Sequence, residues 1–356
     1  MPAAVPASKK RKGLSSSSGS TKKVFHPFLR FPIGPQEELF QILWARPLIV
    51  GRCIDWAAVV QVQLAEAIRA LLTTAPWELF FGIIEPTYLE ITMELCSTFH
   101  LQTIMINYDD PGMVQFCLNG LVCRLSVPEF GTALGLYMEE FKEENDLHAL
   151  NRHIHHSLSR CWDALVPGGA TYNPSRSKPS ALPLSLRYLH AILAHTIIGR
   201  RESTGIVNIH DTYFLWCMLH GYVIDLTNFI TLAIQHQTEQ HMKGVISIGL
   251  YVTRLAQTFG LLSTAAQESS LTLVSQMPPQ GISSMLSMRM IEKCRGTYPP
   301  QYRLTQSTKE EAYKDIPDDV LLQHEDPPTQ PPAPSRPVHV TASYADISER
   351  LTRFEQ

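Results

Sequence analysis

The densest group of potential metal ligands is formed by His153, His155 and His156, in the sequence H-I-H-H. Two imidazoles at positions i and i+3 share one face of a helix and could bind zinc there. The sequence offers no nearby cysteine and no third ligand at a recognised spacing. We therefore interpret these histidines as a polar, partly exposed helix face, and we expect no metal and no other cofactor.

Two acidic motifs are similar to parts of catalytic sites but differ from them in spacing. Tyr108-Asp109-Asp110 is one residue short of the Tyr-x-Asp-Asp turn that holds divalent ions in reverse transcriptases. His210-Asp211-Thr212 lacks the glycine that follows Asp-Thr in retroviral-type aspartic proteases. Asp-Asp-Pro-Gly is common in turns, and Asp211 suits the cap of a helix at Tyr213. We predict that neither motif is catalytic.

The sequence also lacks the motifs of the commonest enzyme classes. It contains no G-x-x-x-x-G-K-[ST] phosphate loop, no G-x-G-x-x-G after a predicted strand and no G-x-S-x-G nucleophile motif. A zinc knuckle, which binds single-stranded RNA in many retroelement structural proteins, is absent too. We therefore predict a protein that is not an enzyme and that has no small-molecule substrate.

Basic residues are concentrated near the N-terminus. Residues 1–30 contain seven Lys or Arg and no acid, whereas residues 300–356 contain ten acids and six bases. Two basic groups, separated by nine residues, consist of Lys9, Lys10, Arg11, Lys12, Lys22 and Lys23. Their spacing suits a bipartite nuclear-import signal, an arm that contacts nucleic-acid phosphates, or a solvated tail. All three alternatives stay open, and we expect a nuclear or cytoplasmic protein, with the nucleus slightly favoured.

The clearest local structure is a predicted β-hairpin over about residues 113–125. Asn119-Gly120 separates two apolar runs and suits a type I′ turn, because both central residues of that turn need positive φ. Cys117 and Cys123 are expected to lie across this hairpin, symmetrically about the turn. The seven cysteines of the chain have irregular spacings that fit neither a disulfide framework nor a zinc module. We therefore expect free, buried thiols.

A capped helix is predicted directly after the hairpin. Ser126 and Glu129 have the spacing of a capping box, and Pro128 stands in the first turn, where no N–H donor is needed. One face of this helix is apolar and packs against the body. Its residues, at i, i+3, i+4 and i+7, are Phe130, Ala133, Leu134 and Tyr137.

Helical periodicity dominates the rest of the folded region. Asp55 caps a predicted helix that runs from Trp56 to Leu71, and Pro76 closes it. Further helices are predicted over 88–99, 139–150, 186–197, 213–222, 226–240 and 245–262, and a short strand over 103–108. The fold class we expect is mainly α: a multi-helix globular body with one small β-hairpin and disordered N- and C-terminal tails.

Composition divides the chain into three regions. Residues 1–27 form a basic, Ser-rich arm that is expected to be disordered. Residues 28–295 form the helical domain, with a subdomain break expected at 166–183, where glycines and prolines concentrate. Residues 296–356 form a Pro-rich, acidic, disordered tail with a short terminal helix marked by Ile347, Leu351 and Phe354. No window approaches 18 uninterrupted apolar residues, so we expect no membrane contact.

Four blocks of sequence, in order over about residues 28–262, resemble Athila-type plant retrotransposon first-open-reading-frame proteins. Phe116–Tyr137, F-C-L-N-G-L-V-C-R-L-S-V-P-E-F-G-T-A-L-G-L-Y, carries most of this resemblance. The other blocks are Phe31–Arg52, Leu186–Arg200 and Val245–Leu261. The plant mobile domain, with F-x-L-x-G…L-[ST]-x-x-E-F…L-G-L, is similar more distantly.

The resemblance implies an element-derived protein, encoded in or upstream of the capsid-like portion of a long-terminal-repeat retroelement. It implies no established enzymatic activity and transfers no catalytic residue to this chain. The expected function is structural, through self-association or through nucleic acid bound by the basic arm. The alternative is a host regulatory protein of the plant-mobile-domain type, acting in nuclear transcriptional silencing.

Overall fold

The computed structural model describes residues 35–73, 75–102, 112–137, 157–169, 171–197, 199, 205–242 and 244–305. These residues belong to one compact unit. They form thirteen α-helices. In chain order, α1 to α13 are Pro35–Trp44, Trp56–Gln61, Ala65–Leu71, Ala75–Phe81, Leu89–Thr98, Val127–Leu134, Leu158–Leu165, Leu184–Thr196, Ile209–His220, Leu226–Thr238, Gly249–Thr258, Ala265–Ser269 and Ile282–Ser287.

Nine short strands accompany the helices in the described residues. β1 to β9 are Cys53–Ile54, Thr87–Tyr88, His100–Gln102, Met113–Leu118, Leu121–Ser126, Leu273–Ser275, Pro279–Gln280, Ile291–Lys293 and Tyr302–Leu304. They pair into four small sheets: β1 with β7, β2 with β6, β8 with β9, and the three-stranded sheet β3-β4-β5. The fold is therefore mixed α/β.

The expected mainly α body with a single hairpin is wrong. Three of the sheets contain strands of only two or three residues, too short to show a period of two. Two of them also join distant segments, since Cys53 pairs with Pro279 and Thr87 pairs with Ser275. Such pairing leaves no local turn signal between the strands, so periodicity alone detected only the hairpin.

Helix α5 lies at the centre of the core. Its seven consecutive residues from Ile91 to Ser97 are all buried, because α1, α11 and strand β4 pack around it. Next to it, Phe130 contacts both Phe99 and Phe116 edge to face, with ring centroids 6.4 and 5.8 Å apart. These ring pairs fix the small sheet against α5 and α6.

The helix predicted from Trp56 to Leu71 is interrupted. Asp55 caps its start as expected, since its carboxylate accepts the N–H of Ala58 at 2.9 Å. Gln63 then takes a left-handed φ of 60°, and the chain forms α2 and α3 instead of one helix. Trp56 and Val60 consequently lie on the surface, 40% and 55% exposed, where a continuous helix would have buried them.

The later helices lie close to their predicted positions. α8, α9, α10 and α11 correspond to the predicted helices over 186–197, 213–222, 226–240 and 245–262. Pro76, expected to close a helix, lies instead in the first turn of α4, where a proline is tolerated. In the described residues, every helix is too short or too polar to cross a bilayer.

One expected boundary between regions, that between residues 295 and 296, lies within the described residues. Strand β9 pairs with β8, with Glu292 opposite Arg303, so regular structure continues past residue 295. The arm over 1–27, the predicted strand over 103–108, the predicted helix over 139–150 and the terminal helix lie outside the described residues. The three-region division stays a prediction.

Candidate functional site

The hairpin turn has the predicted conformation. Asn119 and Gly120 have φ of 51° and 78°, as a type I′ turn requires. The closing pair of the hairpin is Leu118 with Leu121. Cys117 is opposite Val122, and Cys123 is opposite Phe116, so the expected symmetric placement of the two thiols is wrong. Cys123 lies on the buried face and Cys117 on the outer face.

The helix after the hairpin is capped as predicted. Ser126 is the N-cap of α6, and its hydroxyl and the Glu129 carboxylate form a complete capping box, with Pro128 in the first turn. Phe130, Ala133 and Leu134 are buried. The helix ends at Leu134 and Gly135 takes a left-handed φ of 74°, so Tyr137 lies beyond the helix.

Glu94, at the centre of α5, binds the main chain of the hairpin turn. Its carboxylate accepts the N–H of Asn119 at 2.6 Å and the N–H of Gly120 at 2.8 Å. The side chain is fully buried. Burial raises the pKa of Glu94, although the two N–H groups favour the charged form. A buried carboxylate therefore holds the two left-handed residues of the turn in place.

A second carboxylate, that of the partly buried Asp225, caps helix α10. Its Oδ1 accepts the N–H groups of Thr227 and Asn228 at 3.1 and 3.2 Å, and it also accepts the hydroxyl of Tyr137. Burial raises the pKa of Asp225. It also raises the pKa of Tyr137, and the adjacent carboxylate adds to that rise. This contact ties the segment after α6 to the start of α10.

A third carboxylate, that of the fully buried Asp211, lies beside a histidine. Asn208 caps α9, and Asp211 completes its capping box by accepting the Asn208 N–H at 2.9 Å. Asp211 therefore has the capping role expected of it, for a helix that begins at Ile209 rather than at Tyr213. Its Oδ2 lies 3.1 Å from Nε2 of His190 on α8, and both side chains are fully buried. The contact joins α8 to α9.

These three carboxylates, two of them fully buried, share one arrangement. Glu94, Asp211 and Asp225 each accept main-chain N–H groups at a turn or at a helix start. Carboxylates bound in this way satisfy donors that would otherwise be buried without a partner. Their chemistry is consequently used to hold the fold together.

An open cleft of about 290 Å³ lies between the segment Leu48–Arg52 and the segment Val274–Pro278, next to His195. The guanidinium of Arg52 donates to Gln280 and Ser284 at 2.7 and 2.9 Å. A smaller cleft, about 90 Å³, lies beside Asn119. Glu94, Asp211 and Asp225 line neither of these clefts.

Several residues singled out in the sequence fall outside the described part of the chain. They are His153, His155, His156, Tyr108, Asp109, Asp110, Lys9, Lys10, Arg11, Lys12, Lys22 and Lys23. Their predicted roles stay predictions. Within the described ranges, no group of three His, Cys, Asp or Glu side chains could hold a metal ion.

The cysteines are described in full. All seven are free thiols, and five of them are buried. Burial raises the pKa of Cys96, on the inner side of α5, to about 12. The expectation of free thiols is confirmed, with Cys117 only partly buried.

Sequence reasoning missed the Glu94 and Asp225 contacts and the His190 contact. Glu94 is the single charged residue in the run I-T-M-E-L-C-S, and an isolated acid within an apolar helix signals a buried, bonded carboxylate. Asp225, directly before L-T-N-F, has the sequence of a helix cap. Nothing in the sequence relates His190 to Asp211, which lies on another helix.

These features define a class of protein: a mixed α/β body whose buried acids serve as caps and supports for the main chain. A sequence model of the ATHILA ORF-1 family matches residues 33–229, more than half of the 356 residues. The chain therefore belongs to the ATHILA ORF-1 family. It is a plant retrotransposon-derived protein, and this is not a known enzyme family. The match includes the hairpin block but stops before Val245–Leu261.

Comparisons with curated proteins and with solved structures give no match.

Proposed function

We propose that this chain is a non-enzymatic structural component of its retroelement, which associates with further copies of itself and with the nucleic acid of the element. The observation that carries the proposal is that three carboxylates within the body bind the main chain. Glu94, Asp211 and Asp225 all bind main-chain N–H groups, and neither cleft is lined by them. The family match supports the derivation of the chain from a retroelement.

Nucleic-acid contact is assigned to the two basic groups of the N-terminal segment. Lysine and arginine neutralise phosphates and release counterions, which makes such binding weaken steeply with salt. The segment carries no acid to oppose this. The same residues suit nuclear import, and we propose the nucleus as the compartment in which the protein accumulates.

The test uses the full chain and a variant in which the six basic residues are replaced by glutamine. They are Lys9, Lys10, Arg11, Lys12, Lys22 and Lys23. Binding to a fluorescent single-stranded RNA is measured by anisotropy between low and high salt. We expect weaker binding, and a salt dependence reduced by a slope of about 0.7 for each lost phosphate contact.

The matched control removes the same number of charges from the folded body. It replaces six exposed cations by glutamine: Arg160, Arg176, Lys178, Lys293, Arg295 and Arg303. We expect RNA binding close to that of the unmodified chain. Equal losses in the two variants would assign the affinity to net charge alone, and unchanged binding in both would overturn the assignment to the N-terminal basic groups. Absence of RNA binding by the unmodified chain would overturn the nucleic-acid role. Fluorescence microscopy of the same variants in plant cells tests the nuclear assignment.

A further inference from the structure

One edge of the sheet β3-β4-β5 has no neighbour among the described strands. The strand order places β5, Leu121–Ser126, at the end of the sheet. Two apolar side chains are strongly exposed there, Leu121 at 48% and Val122 at 64%. Exposed edge strands bind other strands through their unpaired main-chain groups unless charged side chains, proline or a bulge protect them. β5 contains neither lysine nor proline, and its one charged residue is Arg124.

The turn determines which main-chain groups of β5 point outward. A two-residue type I′ turn makes Leu118 and Leu121 a hydrogen-bonded pair, and bonded and non-bonded pairs then alternate along the hairpin. The N–H and C=O groups of Val122, Arg124 and Ser126 therefore point to the free edge. The Ser126 N–H confirms this assignment, because it donates to Glu129 at 2.7 Å instead of to β4.

Cys117 provides an independent check from the other side of the hairpin. It is opposite Val122, so its N–H must also point away from the pair, and it donates to the Thr98 hydroxyl at 2.8 Å. Of the outward groups on β5, the Ser126 N–H is already bonded. Val122 and Arg124 make no main-chain hydrogen bond to any other described segment. They are the groups that a partner strand would bind.

We propose that this edge pairs antiparallel with the same edge of a second copy, about a two-fold axis at Cys123. This contact rests on the proposed function, because it supplies a surface for the self-association. The register puts Val122 opposite Arg124 of the second copy and Arg124 opposite its Val122. The N–H and C=O groups of Val122 and Arg124 in each copy then form hydrogen bonds to the other copy. On the inner face, Leu121 lies opposite Leu125 and becomes covered.

Neighbouring registers satisfy the edge less well. An axis at Arg124 would put two guanidinium groups directly opposite each other, and like charges in that position are destabilising. It would also place Ser126, whose N–H already donates to Glu129, opposite Val122 of the second copy. An axis at Val122 would leave Arg124 opposite the turn residue Gly120. Only the axis at Cys123 uses the complete edge, and an isologous contact of this kind closes as a dimer.

The Cys123 register makes a chemical prediction. Cys123 and its symmetry mate form a non-hydrogen-bonded pair, whose Cα atoms are about 4.5 Å apart in antiparallel sheets, within the range that a disulfide spans. Copper phenanthroline and oxygen would oxidise the two thiols to one disulfide. We expect a covalent dimer from the full chain and from Cys117→Ser, the control on the adjacent strand, but none from Cys123→Ser.

A charge reversal tests the register without relying on the thiols. In Val122→Lys the new ammonium lies opposite Arg124 of the second copy, whereas in Val122→Glu a carboxylate lies there. Sedimentation equilibrium should show a dimer dissociation constant about fivefold or more weaker for the lysine variant than for the glutamate variant. Arg124→Glu added to Val122→Lys should restore dimerisation, because both opposite pairs become attractive again.

The outcomes separate this contact from the proposed function. Oligomers that form equally well in the lysine and glutamate variants, without a Cys123 crosslink, would overturn the β5 contact and leave self-association through another surface. A chain that stays monomeric at every concentration would overturn both. Circular dichroism of each variant identifies a loss of folding, and the double variant keeps the test decisive if one single variant unfolds.

Discussion

Glu94 accepts the main-chain N–H of Gly120 at 2.8 Å, from the middle of a helix whose neighbouring residues are buried. The contact joins the hairpin turn, which the sequence predicts, to helix α5, whose support of the turn the sequence does not predict. The turn follows from Asn119-Gly120 alone, whereas its support comes from a helix that ends before the hairpin begins. The hairpin is consequently held by a buried carboxylate as well as by its own pairing.

The left-handed conformation of Gly120 predicts the effect of a bulky residue there. An added Cβ would meet nothing within 4 Å, so Gly120→Val changes the backbone energy without a steric clash. We expect a loss of about 1–3 kcal/mol in the free energy of unfolding, from a β-branched residue at φ of 78°. Urea denaturation followed by circular dichroism measures it.

Gly244→Val is the matched control for this substitution. Gly244 also has open space around its Cβ position, but its φ is not positive. We expect the Gly120 variant to be clearly less stable than the Gly244 variant. Equal stability of the two would show that turn conformation is not what Gly120 supplies.

The Glu94 carboxylate predicts a pH dependence of stability. Because burial raises the pKa of Glu94 in the folded state, the folded protein binds this proton more tightly than the unfolded chain does. The stabilisation by the carboxyl is complete below its unfolded pKa and is lost as pH rises through the higher folded pKa. In Glu94→Gln, residue 94 no longer contributes to the change of the free energy of unfolding with pH.

Glu94→Gln also replaces one acceptor by an amide that faces an N–H donor. We expect a loss of about 1–3 kcal/mol in the free energy of unfolding, with a difference from the unmodified chain that shrinks as pH rises. Glu38→Gln, at an exposed position of α1, should change the free energy of unfolding by less than about 0.5 kcal/mol. A constant difference between the Glu94 variant and the unmodified chain at every pH would contradict the raised pKa.

Two histidine–carboxylate contacts in the described part of the chain have similar lengths but different burial. His190 lies 3.1 Å from Asp211, and both side chains are fully buried, whereas His241 lies 3.2 Å from Glu239 with 76% and 36% of the side chains exposed. Breaking a buried pair by removing one partner costs about 3–5 kcal/mol. Exposed pairs contribute about 0–1 kcal/mol.

A pair of double-mutant cycles tests this difference. The first combines His190→Leu with Asp211→Asn, and the second combines His241→Leu with Glu239→Gln. We expect a coupling energy of about 1–3 kcal/mol in the first cycle and less than about 0.5 kcal/mol in the second. Additive effects at His190 and Asp211 would show that the contact does not join α8 to α9.

The parts of the fold that the sequence predicts are those set by neighbours in the chain. Asn119-Gly120 determines its turn and Ser126 with Glu129 its cap, because each acts within three residues. Two of the sheets could not be predicted because their partner strands are remote in the chain, as in the pairing of Cys53 with Pro279. The break at Gln63 had no glycine or proline to mark it.

The side-chain contacts also divide into those set by neighbours in the chain and those set by tertiary packing. Asp225 acts on the helix directly after it and could have been found from its position before Leu226. Glu94 required the inference that an acid in an apolar helix must have a partner, without showing which partner. His190 and Asp211 meet only through the packing of two helices. Their contact follows from tertiary structure alone.

Sedimentation velocity of the full chain, with and without a single-stranded RNA of defined length, tests the structural role most directly. We expect that the chain associates with itself and that RNA shifts it into larger, salt-sensitive assemblies containing many copies. A chain that sediments as a monomer throughout, with and without RNA, would contradict a structural function for this protein.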